Sequence, residues 1–112
     1  MHKENEFDEY GRKYPNTKYH KPQLTCDALV FKIVDDDTKI LLITRGKAPD
    51  VGKLAFPGGH LDYNEEPQQC CLRELKEETG LIGTSIELLD VRGHPLRDSR
   101  GHYVTIVYKV TV

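Results

Sequence analysis

Residues 59–81 read GHLDYNEEPQQCCLRELKEETGL, and the other elements of the chain are placed relative to them. Nothing from Glu66 to Thr79 interrupts a helix: Pro67 suits the first turn, Asn64 or Glu65 can cap it, and Gly80 closes it. At about 100° per residue, Glu74, Glu77 and Glu78 fall in one arc, while Cys71, Leu72, Leu75 and Thr79 occupy the neighbouring side. One side therefore packs and the next is acidic. Like charges one turn apart repel by a few tenths of a kcal/mol, and these carboxylates sit near the C-terminus, where the helix dipole also disfavours anions. A cation relieves both penalties, and carboxylate oxygens suit hard divalent ions such as Mg²⁺ or Mn²⁺. Arg73, one turn before Glu77, can pair with it and fix its rotamer.

Working outward, Gly58 and Gly59 allow close backbone approaches that bring a strand end against the start of the acidic helix. Upstream, LTCDALVFKIV (24–34) predicts one well-buried strand ending at an Asp35-Asp36-Asp37 turn, and KILLITR (39–45) a second strand forming a hairpin with it. The three aspartates read as a solvated tip. GKAPDVGK is a loop, and LAFPGG a short strand broken by Pro57. Downstream, IELLDV and HYVTIVYKVTV predict two further strands joined by the loop RGHPLRDSRG. Residues 1–23 are dense in charged side chains and poor in aliphatic ones, so they read as a polar N-terminal arm whose Tyr10, Tyr14 and Tyr19 are candidates to stack on a base, to dock on a partner subunit or to dock on the body; residues 24–112 form the domain proper.

The whole chain has 112 residues, 38% hydrophobic and 30% charged, which suits one soluble domain. It shows neither a membrane-length apolar run nor a signal peptide, so a cytoplasmic location without membrane contact is expected. With 16 basic against 18 acidic residues, it has no general attraction for nucleic acid, and no nucleic-acid partner is expected. Cys26, Cys70 and Cys71 form neither a disulfide framework nor a zinc spacing, in keeping with a reducing compartment and a packing role.

Gly59, Glu65, Arg73-Glu74-Leu75, Glu77-Glu78 and Gly80-Leu81 together resemble the signature of the Nudix hydrolases at every specified position. The resemblance implies an α/β/α sandwich with a mixed sheet and hydrolysis of a nucleoside diphosphate linked to another moiety. It implies that Glu74, Glu77 and Glu78, assisted by the Gly59 carbonyl, bind the divalent metals, Mg²⁺ or Mn²⁺. Arg73 and Glu65 would organise the loop-helix motif, and Glu74 or Glu77 would serve as a catalytic carboxylate. Pro95 and the following Arg97-Asp98-Ser99-Arg100-Gly101-His102 resemble the ADP-ribose pyrophosphatase branch, making ADP-ribose the first substrate candidate, cleaved to AMP and ribose 5-phosphate. Arg45, Arg97 and Arg100 are the candidate substrate-binding cations. Noncanonical nucleoside triphosphates and dinucleoside polyphosphates are the alternative substrates; a non-catalytic nucleotide-binding or interaction module is the alternative class. The resemblance also implies more sheet and a C-terminal helix beyond Val112, so one outer layer is expected to be missing here, with the arm or a homodimer partner covering the sheet.

Overall fold

The computed structural model describes Phe7, Tyr10, Gly11, residues 21–47 and residues 50–112. The expected polar arm, with Tyr14 and Tyr19, lies for the most part outside the described residues. Nine elements follow in chain order: β1 (Gln23–Leu29), β2 (Phe31–Val34), β3 (Asp37–Ile40), β4 (Ile43–Thr44), β5 (Leu54–Ala55), β6 (Gly58–His60), α1 (Pro67–Thr79), β7 (Ser85–Arg92) and β8 (Tyr103–Thr111).

The principal sheet has the order β6-β1-β8-β7. β1 runs parallel to β8 and antiparallel to β6, and β7 runs antiparallel to β8, so the sheet is mixed as expected. Side chains alternate across it. Cys26, Ala28 and Val30 from β1 and its end, with Tyr108 and Val110 of β8, are buried against Cys70, Cys71 and Leu75 of α1. The thiols thus serve as core groups, and burial raises the pKa of all three, Cys71 to about 12. Thr25, Asp27 and Thr105 take the alternate positions and face away from the helix. Among the described residues α1 is the one helix, which gives the sheet a helical layer on one face.

The strand expected over residues 24–34 divides at Val30 because its partners change. β1 pairs with β6 and β8, whereas β2 pairs with β3 in a separate hairpin, and the Val30 carbonyl accepts the Leu41 N–H at 2.9 Å. The second expected strand divides for the same reason, since β3 answers β2 and β4 answers β5. At the hairpin tip only Asp35 and Asp36 form the turn, both left-handed with φ of 51° and 66°, and Asp37 already pairs with Val34. Two positive φ angles suit the right-handed twist of the flanking strands.

The N-cap of α1 falls one residue after Glu65 and two after Asn64, the two expected caps. It is Glu66, whose carbonyl accepts the Cys70 N–H at 3.0 Å and whose N–H donates to Gln69 Oε1 at 3.2 Å. Asn64 is left-handed, with φ of 66°, and the Glu65 carboxylate is engaged by Arg73, so neither is available for capping. Gly80, left-handed at φ 77°, donates its N–H to the Lys76 carbonyl and ends the helix as expected.

Candidate active site

The acidic side of α1 meets β6 at the edge of the principal sheet, where Gly59 allows close approach to α1 and Gly58 close approach to β1. A Cβ on Gly58 would collide with the Cys26 carbonyl and lie 2.5 Å from Asp27 Oδ1; one on Gly59 would lie 2.5 Å from the carboxyl carbon of Glu74. A side chain at Gly58 would therefore press β6 away from β1, and one at Gly59 would displace the Glu74 carboxylate.

Arg73 is the hub. Its Nε and Nη2 donate to Glu65 Oε2 and Oε1 at 2.7 and 2.9 Å, a bidentate pair that ties the preceding loop to the helix. Nη1 donates to Glu74 Oε1 at 2.8 Å and to Glu77 Oε2 at 3.3 Å, and Nη2 also reaches the His60 carbonyl at 3.2 Å. The hydrogen bonds from Arg73 lower the Glu65 pKa to about 2, and Glu65 in turn raises that of Arg73. Glu65 and Glu74 are largely buried, with side chains 13% and 16% exposed, whereas Glu77 is 58% exposed and open to incoming groups.

Glu78 lies on the same side. Although the residue as a whole is exposed, its carboxyl turns inward, where it accepts the Gly58 N–H and shares a hydrogen bond with Glu74. Loss of solvation first, and the neighbouring Glu74 second, raise its pKa to about 7. Glu74 and Glu78 thus approach as two like charges, a place where a cation would relieve mutual repulsion. Among the described residues no three His, Cys, Asp or Glu side chains already stand in a metal-holding arrangement. The donor set nonetheless fits a hard divalent ion, because every candidate ligand is oxygen.

The structure therefore brings Gly59, Glu65, Arg73, Glu74, Glu77 and Glu78 together at one sheet edge. It separates the three candidate substrate arginines. Arg45 follows β4 in the small β4–β5 hairpin, where its backbone N–H donates to the Lys53 carbonyl. Arg100 is engaged by Asp98, with Nε to Oδ1 at 3.0 Å and Nη2 to Oδ2 at 2.7 Å, and lies 4.4 Å from the centroid of the Tyr103 ring. Arg97 donates from Nη2 to Thr105 Oγ1 at 2.6 Å on the helix-free face.

One carboxylate escaped the sequence reading. Asp27 sits on that face beside Gly58, and burial raises its pKa to about 6 while Arg97 opposes the rise. An aspartate inside an otherwise apolar strand was the available signal. His60 likewise meets Tyr103 edge-on, with ring centroids 5.8 Å apart.

Comparison with known proteins agrees with this geometry. The NUDIX domain family model matches residues 24–112. The ADP-ribose pyrophosphatase of Methanocaldococcus jannaschii is 45% identical over 94 residues, covering 84% of this chain and 53% of that protein. The NUDIX domain of Shewanella oneidensis NrtR complexed with ADP ribose superposes with a TM-score of 0.81 at 35% identity, covering 88% of this chain and 66% of that one. NrtR complexed with a 27mer DNA superposes with a TM-score of 0.70 at 38% identity, covering 78% of this chain and 41% of that protein. That complex runs against the exclusion of nucleic acid drawn from net charge. The chain spans about half the length, or less, of the first curated relatives that it matches. Among the described residues no helix is long and apolar enough to cross a membrane. With the family model covering the domain from β1 to its end and the box residues gathered at one sheet edge, the chain belongs to the Nudix family.

Proposed function

We propose that the protein is a divalent-metal-dependent pyrophosphohydrolase acting in the cytoplasm on a nucleoside diphosphate derivative, with ADP-ribose, cleaved to AMP and ribose 5-phosphate, as its first substrate. The observation that carries this reading is the bonded chain Glu65–Arg73–Glu74/Glu77, with Glu78 closing on Glu74 beside Gly58 and Gly59. The relative named as an ADP-ribose pyrophosphatase and the ADP-ribose-bound neighbour support the choice of substrate.

Glu74, Glu77 and Glu78, with the Gly59 carbonyl, would hold Mg²⁺ or Mn²⁺. The bound ion supplies neutralisation of the pyrophosphate oxygens, which otherwise repel a nucleophile. The protein's own part is positional. Arg73, fixed by Glu65, orients Glu74 and Glu77 so that the carboxylates keep their places when water attacks phosphorus. The P–O bond to the leaving phosphate breaks, and a box carboxylate takes the proton from the water. Arg97 contributes a positive charge from the sheet face.

Hydrolysis of ADP-ribose, other nucleoside diphosphate sugars, dinucleoside polyphosphates and oxidised triphosphates, each with Mg²⁺ or Mn²⁺ and with chelator, tests the reading. Formation of AMP and ribose 5-phosphate from ADP-ribose, abolished by chelation, is expected. Folded protein that is silent on every substrate would overturn it. A second reading, a ligand-sensing module, is favoured by the DNA-bound relative; it predicts ADP-ribose binding without turnover.

A further inference from the structure

The helix-free face of the sheet holds an arrangement that lies outside the box. Thr105 of β8 is 5% exposed and stands in register with Thr25 of β1, their hydroxyl oxygens 2.7 Å apart. Arg97 donates to the same Thr105 oxygen at 2.6 Å. A hydroxyl has one proton and two acceptor positions, so Thr105 can accept from Arg97 while donating to Thr25, which satisfies the buried Thr105 hydroxyl.

The two loop arginines differ in what holds them. Arg100 is neutralised by a bidentate bond to Asp98 and stacked on Tyr103, so its charge is already spent within the loop. Arg97 is held by a neutral hydroxyl, and that bond uses one of the five N–H donors of its guanidinium. Thr25, bonded to the same Thr105 hydroxyl, pairs in register with His60 of β6, and in the order β6-β1-β8-β7 β1 alone separates the strand that anchors Arg97 from the sheet edge carrying Gly58 and Gly59. Fixing a long side chain in advance removes part of the entropy cost of binding an anion.

Resting on the hydrolase reading above, we infer that Thr105, backed by Thr25, is a positioning residue that presents Arg97 to the pyrophosphate of the substrate, whereas Arg100 maintains the loop. Thr105→Val keeps the shape of the side chain and removes the bond. In ADP-ribose hydrolysis with Mn²⁺, KM should rise about tenfold with kcat changed by less than about twofold, the pattern of lost uniform binding. Thr105→Ser should return KM to within about threefold of the wild type, because the hydroxyl is restored. In an Arg97→Ala background, Thr105→Val should add nothing. A wild-type KM in Thr105→Val, or a further loss in the Arg97→Ala background, overturns the positioning role while leaving the hydrolase reading intact. Absence of turnover by wild-type protein overturns the hydrolase reading instead. Calorimetric titration of ADP-ribose into the same variants then decides the positioning role: a loss of affinity in Thr105→Val that Thr105→Ser restores supports it, and unchanged affinity overturns it.

Discussion

The two faces of the four-stranded sheet share strands and register yet carry opposite chemistry. Cys26 and Ala28 of β1 turn toward α1 and are fully buried among sulfur and carbon; their neighbours Thr25 and Asp27 turn the other way, and Thr25 meets the Thr105 hydroxyl to which Arg97 donates. The alternation of side chains along a strand is enough to separate them. On the apolar face a lost atom costs packing and so stability, whereas at the acidic edge beside it the groups stand in mutual repulsion and are retained for what they bind. Variants that remove one kind of group without the other test that division.

The largest effect is expected at the edge where α1 meets β6. Glu78→Gln should lower ADP-ribose turnover by about three orders of magnitude, on the scale of losing a central electrostatic group. The same change removes the partner that repels Glu74 and so should raise the melting temperature in chelator above pH 7, where Glu78 is ionised. Lost activity accompanied by equal or greater stability marks a functional group. A fall in both would show instead that Glu78 belongs to the fold.

Leu75→Ala attacks the other face. Leu75 is fully buried between Cys26, Ala28 and Val110, so its truncation leaves a cavity costing about 3 kcal/mol, read as a lower denaturation midpoint. Protein that remains folded at low temperature should keep a near-normal kcat. If kcat falls as far as in Glu78→Gln, the two faces are coupled more tightly than their chemistry suggests.

The contrast also explains what could be read from sequence. The box was legible because its geometry is local: Glu65, Arg73, Glu74, Glu77 and Glu78 lie on one helix and the loop before it, where spacing alone sets direction. Cap position was less legible because Asn64 and Glu65, good candidates by type, take a left-handed turn and the bond to Arg73. The break at Val30 was hidden because an apolar run does not reveal when a strand changes partners. The polar face was hidden for a further reason: Thr25 and Thr105 are 80 positions apart and meet only through the parallel β1–β8 pairing. Arg97 and Arg100 looked equivalent in the loop, and only the fold shows one paired with Asp98 and the other with a hydroxyl.

Acid should expose the ties that hold the box. The hydrogen bonds from Arg73 keep the Glu65 pKa at about 2, against an ordinary 4.5, so the pair's contribution to stability is present above pH 4.5 and is lost as pH falls toward 2. Denaturation midpoints between pH 2 and 6 should therefore drop in the wild type, and the drop should be shallower in Glu65→Gln, whose side chain does not titrate. An identical acid limb in both proteins would assign the drop to other carboxylates, such as Asp98, also held at about 2 by Arg100.

Thr25→Val carries the smallest expected effect and makes the finest division between the two faces. Valine keeps the β-branched shape and the strand preference, so packing changes little. What is lost is the acceptor for the Thr105 proton, and an unpaired hydroxyl in a residue only 5% exposed costs about 1 kcal/mol. The Arg97 bond to Thr105 needs only the Thr105 oxygen, so it should survive, and KM for ADP-ribose should rise less than about threefold, well short of the Thr105→Val value. A KM shift as large as that of Thr105→Val would place both hydroxyls in the support of Arg97, and a stability loss as large as that of Leu75→Ala would make this face a second core.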